Sequence, residues 1–359
     1  MRFEPISSKG TELASLSGLV RIIGLCLLGI VILPVAGRAE EISAAPLTGA
    51  LAAAEAREGK TSPYLLPVIE QLAQFRLREG ELGEAAALRR RALDIAVKRF
   101  GGDSASAAEA MAALAAVEID RRRYLDAEPL LILAGNVLAG RVAPDQPVMV
   151  TILAGRGRIA LARGETVAAE ALARRAVEMA RRNPHGRSTE ALRTLGAVLT
   201  AEERFDEAER LLSEALARDR EQHGADGVDT ARSLSQLAHL YWRKQKPEEA
   251  LRLLEEAIAI DQNRLGPAHP FIADDFYDLA LVYEAMQRSD AAFKALTSAI
   301  EILERGAGRD TPRVAYAELE LERLHRERGQ EAEAEAAYRD ARRILNKAEA
   351  EEHRREREV

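Results

Sequence analysis

The chain has 359 residues, a net charge of −7, 30% charged but only 4% aromatic side chains, and a single cysteine, Cys26. One cysteine excludes a disulfide framework and a thiolate zinc site, so the fold must rest on burial alone. The acidic balance has the wrong sign for general affinity to nucleic acid or to an anionic membrane surface.

Residues 1–39 stand apart from the remainder of the chain. Arg2, Lys9 and Arg21 precede an apolar run from Ile22 to Val35, and Gly37-Arg38-Ala39 then leads into Glu40-Glu41. The run is shorter than the ~20 residues that span a bilayer. A basic flank, a short core and small residues after it fit a signal peptide cleaved near Gly37 or Ala39. If Arg21 snorkels to the interface, Leu19 to Val35 serves instead as an N-terminal membrane anchor. Both readings export the residues beyond this segment, either into the periplasm or onto the outer side of an inner membrane. The membrane is involved only through this segment.

Residues 43–60 carry Leu47 and Ala50 at a phase that recurs later, and they predict a lone N-terminal capping helix. A repeat then begins. Ala85, Ala127 and Ala169 are 42 residues apart, as are Ala208, Ala250, Ala292 and Ala334, with one step of 39 between the two series. Seven residues after each stands another alanine: Ala92, Ala134, Ala176, Ala215, Ala257, Ala299 and Ala341. A fixed period of this length means a stacked array and not one globular core. The array has seven units, at about 64–105, 106–147, 148–186, 187–228, 229–270, 271–312 and 313–345. The three missing residues fall in a shortened loop at 182–187.

One unit shows the local logic. Leu234, Leu237, Ala238 and Tyr241 recur at helical spacing, and so do Ala250, Leu253, Leu254, Ala257 and Ile258. The short turn between the two series makes them antiparallel amphipathic helices. Small residues allow the axes to approach to about 8 Å, and the place of Ala238 is filled by Ala73, Ala115, Gly157, Gly196 and Ala280 in other units. Only the last unit departs, with Glu322, where an array must present a polar face. Pro63, Pro147 and Pro312 recur where a following helix would begin. Residues 346–359 are densely charged and read as a C-terminal helical tail.

Leu237-Ala238-His239-Leu240-Tyr241 with Ala250, Leu254 and Ala257 resembles a tetratricopeptide repeat, as does Leu279-Ala280-Leu281-Val282-Tyr283 with Ala292, Leu296 and Ala299. The 42-residue period and the junction Leu265-Gly266-Pro267-Ala268-His269-Pro270 are similar to the longer repeats of kinesin light chains. The resemblance implies an all-α, right-handed superhelical solenoid whose concave face binds another protein or a peptide segment. Kinesin light chains place asparagines in that groove, whereas the corresponding positions here are Glu70, Ala112, Ala154, Arg193, Ser235, Tyr277 and Leu319. The fold carries over and the cargo preference does not.

Nothing in the sequence points to chemistry. Gly59-Lys60-Thr61 lacks the first glycine and the preceding strand of a phosphate loop. The six histidines have no metal-ligand spacing, and no nucleophilic triad is visible. No cofactor is expected. His269 is expected to cap or pack at its linker, and the arginine runs at 89–91, 121–123 and 181–182 read as solvated helix faces. By phase, the outward positions of the first helices include Arg158, Arg193, Arg232, Ser235, His239, Trp242 and Tyr277. Guanidinium and aromatic groups of this kind are the usual anchors of an interface. The expected function is a scaffold or adaptor; the alternative is a regulatory or substrate-recruiting subunit of an exported enzyme complex.

Overall fold

The computed structural model describes residues 44–139, 147–182 and 188–358. The expectations for a signal peptide or anchor at 1–39 and for a shortened loop at 182–187 therefore lie almost wholly outside the described residues. Among those residues there are 15 α-helices and no strands. None of the helices is long and apolar enough to cross a membrane.

Helix α1 (Ala45–Glu58) is followed by a 3-10 turn at Pro63–Leu65 and then by fourteen helices in pairs. The first helices of the pairs are α2 (Leu66–Arg78), α4 (Ala105–Asp120), α6 (Pro147–Ala162), α8 (Ser188–Ala201), α10 (Val228–Arg243), α12 (Pro270–Ala285) and α14 (Pro312–Glu327). The second helices are α3 (Leu82–Phe100), α5 (Tyr124–Ala139), α7 (Thr166–Arg182), α9 (Phe205–His223), α11 (Pro247–Leu265), α13 (Ser289–Ala307) and α15 (Glu331–Glu358). Each packs on its neighbours in sequence, and from α4 to α12 each first helix also touches the next first helix. That is a solenoid of antiparallel helix pairs. Helix α15 runs without a break through the charged C-terminal residues.

The alanine seam explains the packing. All fourteen repeat alanines are buried, thirteen of them completely. A Cβ added at Gly196 would stand 2.5 Å from Leu212 Cγ. Small residues are therefore required where the helices of a pair cross.

The turn inside each pair follows one rule that the sequence did not advertise. Gly80, Arg122, Gly164, Glu203, Gln245, Gln287 and Gly329 all have positive φ and recur with the period of the alanines. A left-handed residue stops the first helix and turns the chain back. Proline opens α6, α11, α12 and α14, where its fixed φ suits the first turn. Ser104 and His269 cap α4 and α12 by accepting the backbone N–H of Ala107 and Phe271.

The array also touches itself over a long sequence distance. His269 Nδ1 accepts the Phe271 N–H at 3.2 Å, and its Nε2 lies 2.9 Å from the carbonyl of Leu77. With Nδ1 accepting, the ring proton sits on Nε2 and is donated to Leu77, so this histidine is neutral. Burial also pushes its pKa down. Pro270 lies so close to Gly80 that a Cβ there would be 2.7 Å from Pro270 Cδ. Arg122 Nη2 reaches Asp274 at 3.4 Å. The turns of the first two pairs are thus fastened to the start of α12.

Candidate functional site

This self-contact turns the concave face into a lumen. Arg122, Arg158 and Asp274 are surrounded by protein, yet they keep 47%, 39% and 47% of their side-chain exposure. Water therefore reaches these three side chains beside the self-contact. Arg158 donates to Asp120 at 2.9 Å. Asp274 is held between Arg122 and Arg313. Desolvation pushes its pKa up, but the two guanidinium groups more than offset that and hold it below the ordinary carboxylate range.

The residues singled out by phase are not brought to one point. Arg158 lies in the lumen wall on α6. Arg193, on α8, has only 12% of its side chain exposed: it donates to Asp219 at 2.6 Å and reaches Asp229 at 3.4 Å. It is held by internal partners and is no free anchor. On α10, Arg232 lies over the Phe271 ring at 4.5 Å and is half-buried, while Ser235 Oγ donates to the Ala231 carbonyl. His239 faces Asp278 at 3.5 Å and lies 5.3 Å from the Trp242 ring. Trp242 is half-buried beside Ala238, Leu254 and Val282, packed between successive pairs instead of standing clear of the alanine seam. Tyr277 is packed against the same core, and desolvation pushes its hydroxyl pKa up to about 12.

Phase alone did not single out the groups that matter most electrostatically. Asp261 on α11 and Asp275 on α12 expose 2% and 5%. No hydrogen bond reaches Asp261, and its Oδ1 is buried. Desolvation pushes its pKa up to about 6, with Arg232 opposing and Asp229 reinforcing the shift. Desolvation likewise drives Asp275 well above the ordinary range; the Ser235 hydroxyl opposes the shift, while Asp261, Asp278 and Asp274 add repulsion.

A carboxyl whose pKa is raised on folding weakens the fold when ionised, so its penalty grows as pH rises from the unfolded-state value and levels off above the folded-state value. Asp261→Asn should therefore melt above the wild type at pH 7.5, and the difference should shrink through pH 5 and vanish as pH falls below about 4, where the carboxyl is protonated in the unfolded chain too. Neutral His269 works in the opposite sense over the same range, which is why the difference between two proteins, and not one melting curve, is the measurement. An advantage that persists unchanged at pH 5 would mean that Asp261 does not carry it.

Among the described residues, no cluster suited to a metal ion is present. On the outer face a cleft of about 660 Å³ runs between α7 and α9. Its wall includes Arg174 and Glu207, which pair with each other.

The sequence pattern of the tetratricopeptide repeat family matches residues 187–263, 230–305 and 273–347. The chain is a tetratricopeptide repeat protein. Among solved structures, a Rap protein complexed with competence and sporulation factor shares the fold, with a TM-score of 0.60 and 14% identity over 79% of this chain and 77% of that one. BtubC (BKLC) from P. vanneervenii is similar at 20% identity over 63% of this chain and 92% of its own, with a TM-score of 0.46. A putative kinesin light chain from Podosopora anserina, with nearly identical TPR-like repeats, is 22% identical over 56% of this chain and 98% of its own, with a TM-score of 0.44. No curated protein matches the chain. The fold of this tetratricopeptide repeat protein is that of a protein-interaction scaffold, and proteins built on such repeats are in general not catalysts.

Proposed function

We propose that this tetratricopeptide repeat protein is a non-catalytic scaffold or adaptor that takes a peptide segment of another protein into its lumen. The observation that carries the reading is the enclosed, solvated concave face, where Arg122, Arg158 and Asp274 offer charge inside a protein wall. Charge in such a setting is screened less than on an open surface and gives stronger, more selective pairing. The Rap structure of the same fold was determined with a factor bound, which supports the same use here. Export, by a cleaved signal or a retained anchor, is part of the proposal and rests on residues 1–39. The N-terminus of the protein purified from its own cells checks it: a start near residue 38 or 40 means cleavage, and an intact Met1 in the soluble fraction sinks both forms.

The lumen is tested by placing a photo-reactive phenylalanine at Arg158, with Val167, which is 81% exposed on the second helix of its pair, as control. Cross-links to a partner from the Arg158 position alone are expected. Capture from Val167 alone would place binding on the outer face and overturn the reading. Gly80→Val should weaken capture by about tenfold or more, because its Cβ would meet Pro270 and its φ of +77° is costly for a β-branched residue. Undiminished capture by that variant would mean that closure is not needed for binding.

A further inference from the structure

Two successive junctions of the array carry the same positions with different residues. Between the fourth and fifth units, Arg193 on α8 donates to Asp219 on α9 at 2.6 Å, Ser233 on α10 donates to the same carboxylate at 2.5 Å, and Asp229 stands 3.4 Å from the other guanidinium nitrogen. One repeat later, 42 residues on, Asp219 becomes Asp261, Ser233 becomes Asp275, Asp229 becomes Phe271 and Arg193 becomes Ser235. The carboxylates remain two in number, one of them moved from the place of Asp229 to that of Ser233, and the cation that served them is replaced by a short hydroxyl side chain.

The consequence is visible in the packing. Asp219 is wholly covered, and its Oδ2 has two donors. Asp261 has none, although it is 98% buried, while Asp275 has beside it only the hydroxyl of Ser235, whose proton goes to the Ala231 carbonyl. The nearest cation, Arg232, is stacked on Phe271 and pairs no closer than 4.0 Å, with Asp229. Two nearly buried carboxylates at a junction where the guanidinium of the preceding repeat has no counterpart form an acceptor set without its donor.

We propose that the Ser235–Asp261–Asp275 recess is a subsite for a basic side chain of the bound peptide, an arginine whose guanidinium takes the place that Arg193 fills one repeat earlier. The proposal rests on the lumen reading above and specifies its ligand. Arginine fits better than lysine because its planar fork can serve two carboxylates at once. The raised pKa values of the pair agree with this, since a bound guanidinium would remove the repulsion that sustains them.

The test uses the whole chain and two small probes, N-acetyl-arginine amide and N-acetyl-citrulline amide, which match in shape and differ in charge. At pH 7.5 the arginine amide should raise the melting temperature of the wild type, and the citrulline amide should not. Ser235→Arg, which supplies the guanidinium from within, should melt above the wild type and bind the arginine amide at least about tenfold more weakly. Asp261→Asn should also lose the response. Equal action of the two amides on the wild type overturns the proposal, as does a lower melting temperature for Ser235→Arg, which would show that the recess has no room for the group. If the photo-reactive residue at Arg158 still captures a partner while the amides act alike, the subsite is wrong and the lumen reading stands.

Discussion

Arg193→Ala should cost about 3–5 kcal/mol of stability, the usual result of removing one partner from a buried ion pair. Asp219 is completely buried, its Oδ1 has no partner, and Arg193 supplies the only positive charge on Oδ2. Without the guanidinium, one hydroxyl, that of Ser233, would remain to stabilise a charge out of water. The double variant Arg193→Ala/Asp219→Ala should recover most of the loss, because the penalty lies in the orphaned carboxylate more than in the missing attraction. Urea unfolding of the three proteins decides it. A single-variant cost below about 1 kcal/mol, typical of exposed pairs, would mean that water reaches Asp219.

Ala250→Leu should be the next most damaging change, at about 1–3 kcal/mol from overpacking. Ala250 has no exposed area and opens the seam between α10 and α11 opposite Ala238. Three added carbon atoms there must push two helices apart. The damage should be local, since each unit mainly touches its neighbours. Hydrogen exchange should accelerate first in α10, α11 and α12, and wild-type melting would show that Ala250 is not at a close contact.

Small residues at helical phase were enough to read the array, because close helix approach forbids anything larger and the prohibition repeats in every unit. The same periodicity was in the turn position from Gly80 to Gly329, but Arg122, Glu203, Gln245 and Gln287 hide it: a left-handed backbone is a conformation, and four ordinary side chains adopt it. The site was less legible. Phase places a residue on a face without saying whether a neighbouring unit already satisfies it, so Arg193 resembled an open anchor until Asp219 appeared beneath it. Trp242 lay one residue beyond Tyr241, close enough to the seam for Val282 of the next pair to cover it in part. The contact of His269 with Leu77 spans 192 residues. No local pattern can announce it, although the His269 cap on α12 could be expected from the linker alone.

An open stack of repeats comes apart from its ends, one unit after another, because its terminal units each lack a neighbour. Fastening the Leu77–Gly80 turn to His269 and Pro270 removes one of those ends for the first five units. The first pair cannot peel away without releasing α12, so the early loss of a single unit is replaced by the loss of a circuit. Unfolding of this stretch should then be steep and shared, with the ordering cost of closing so long a loop met once and late in folding. The last pair, α14 and α15, lies beyond the clasp and keeps the free end at which disassembly begins.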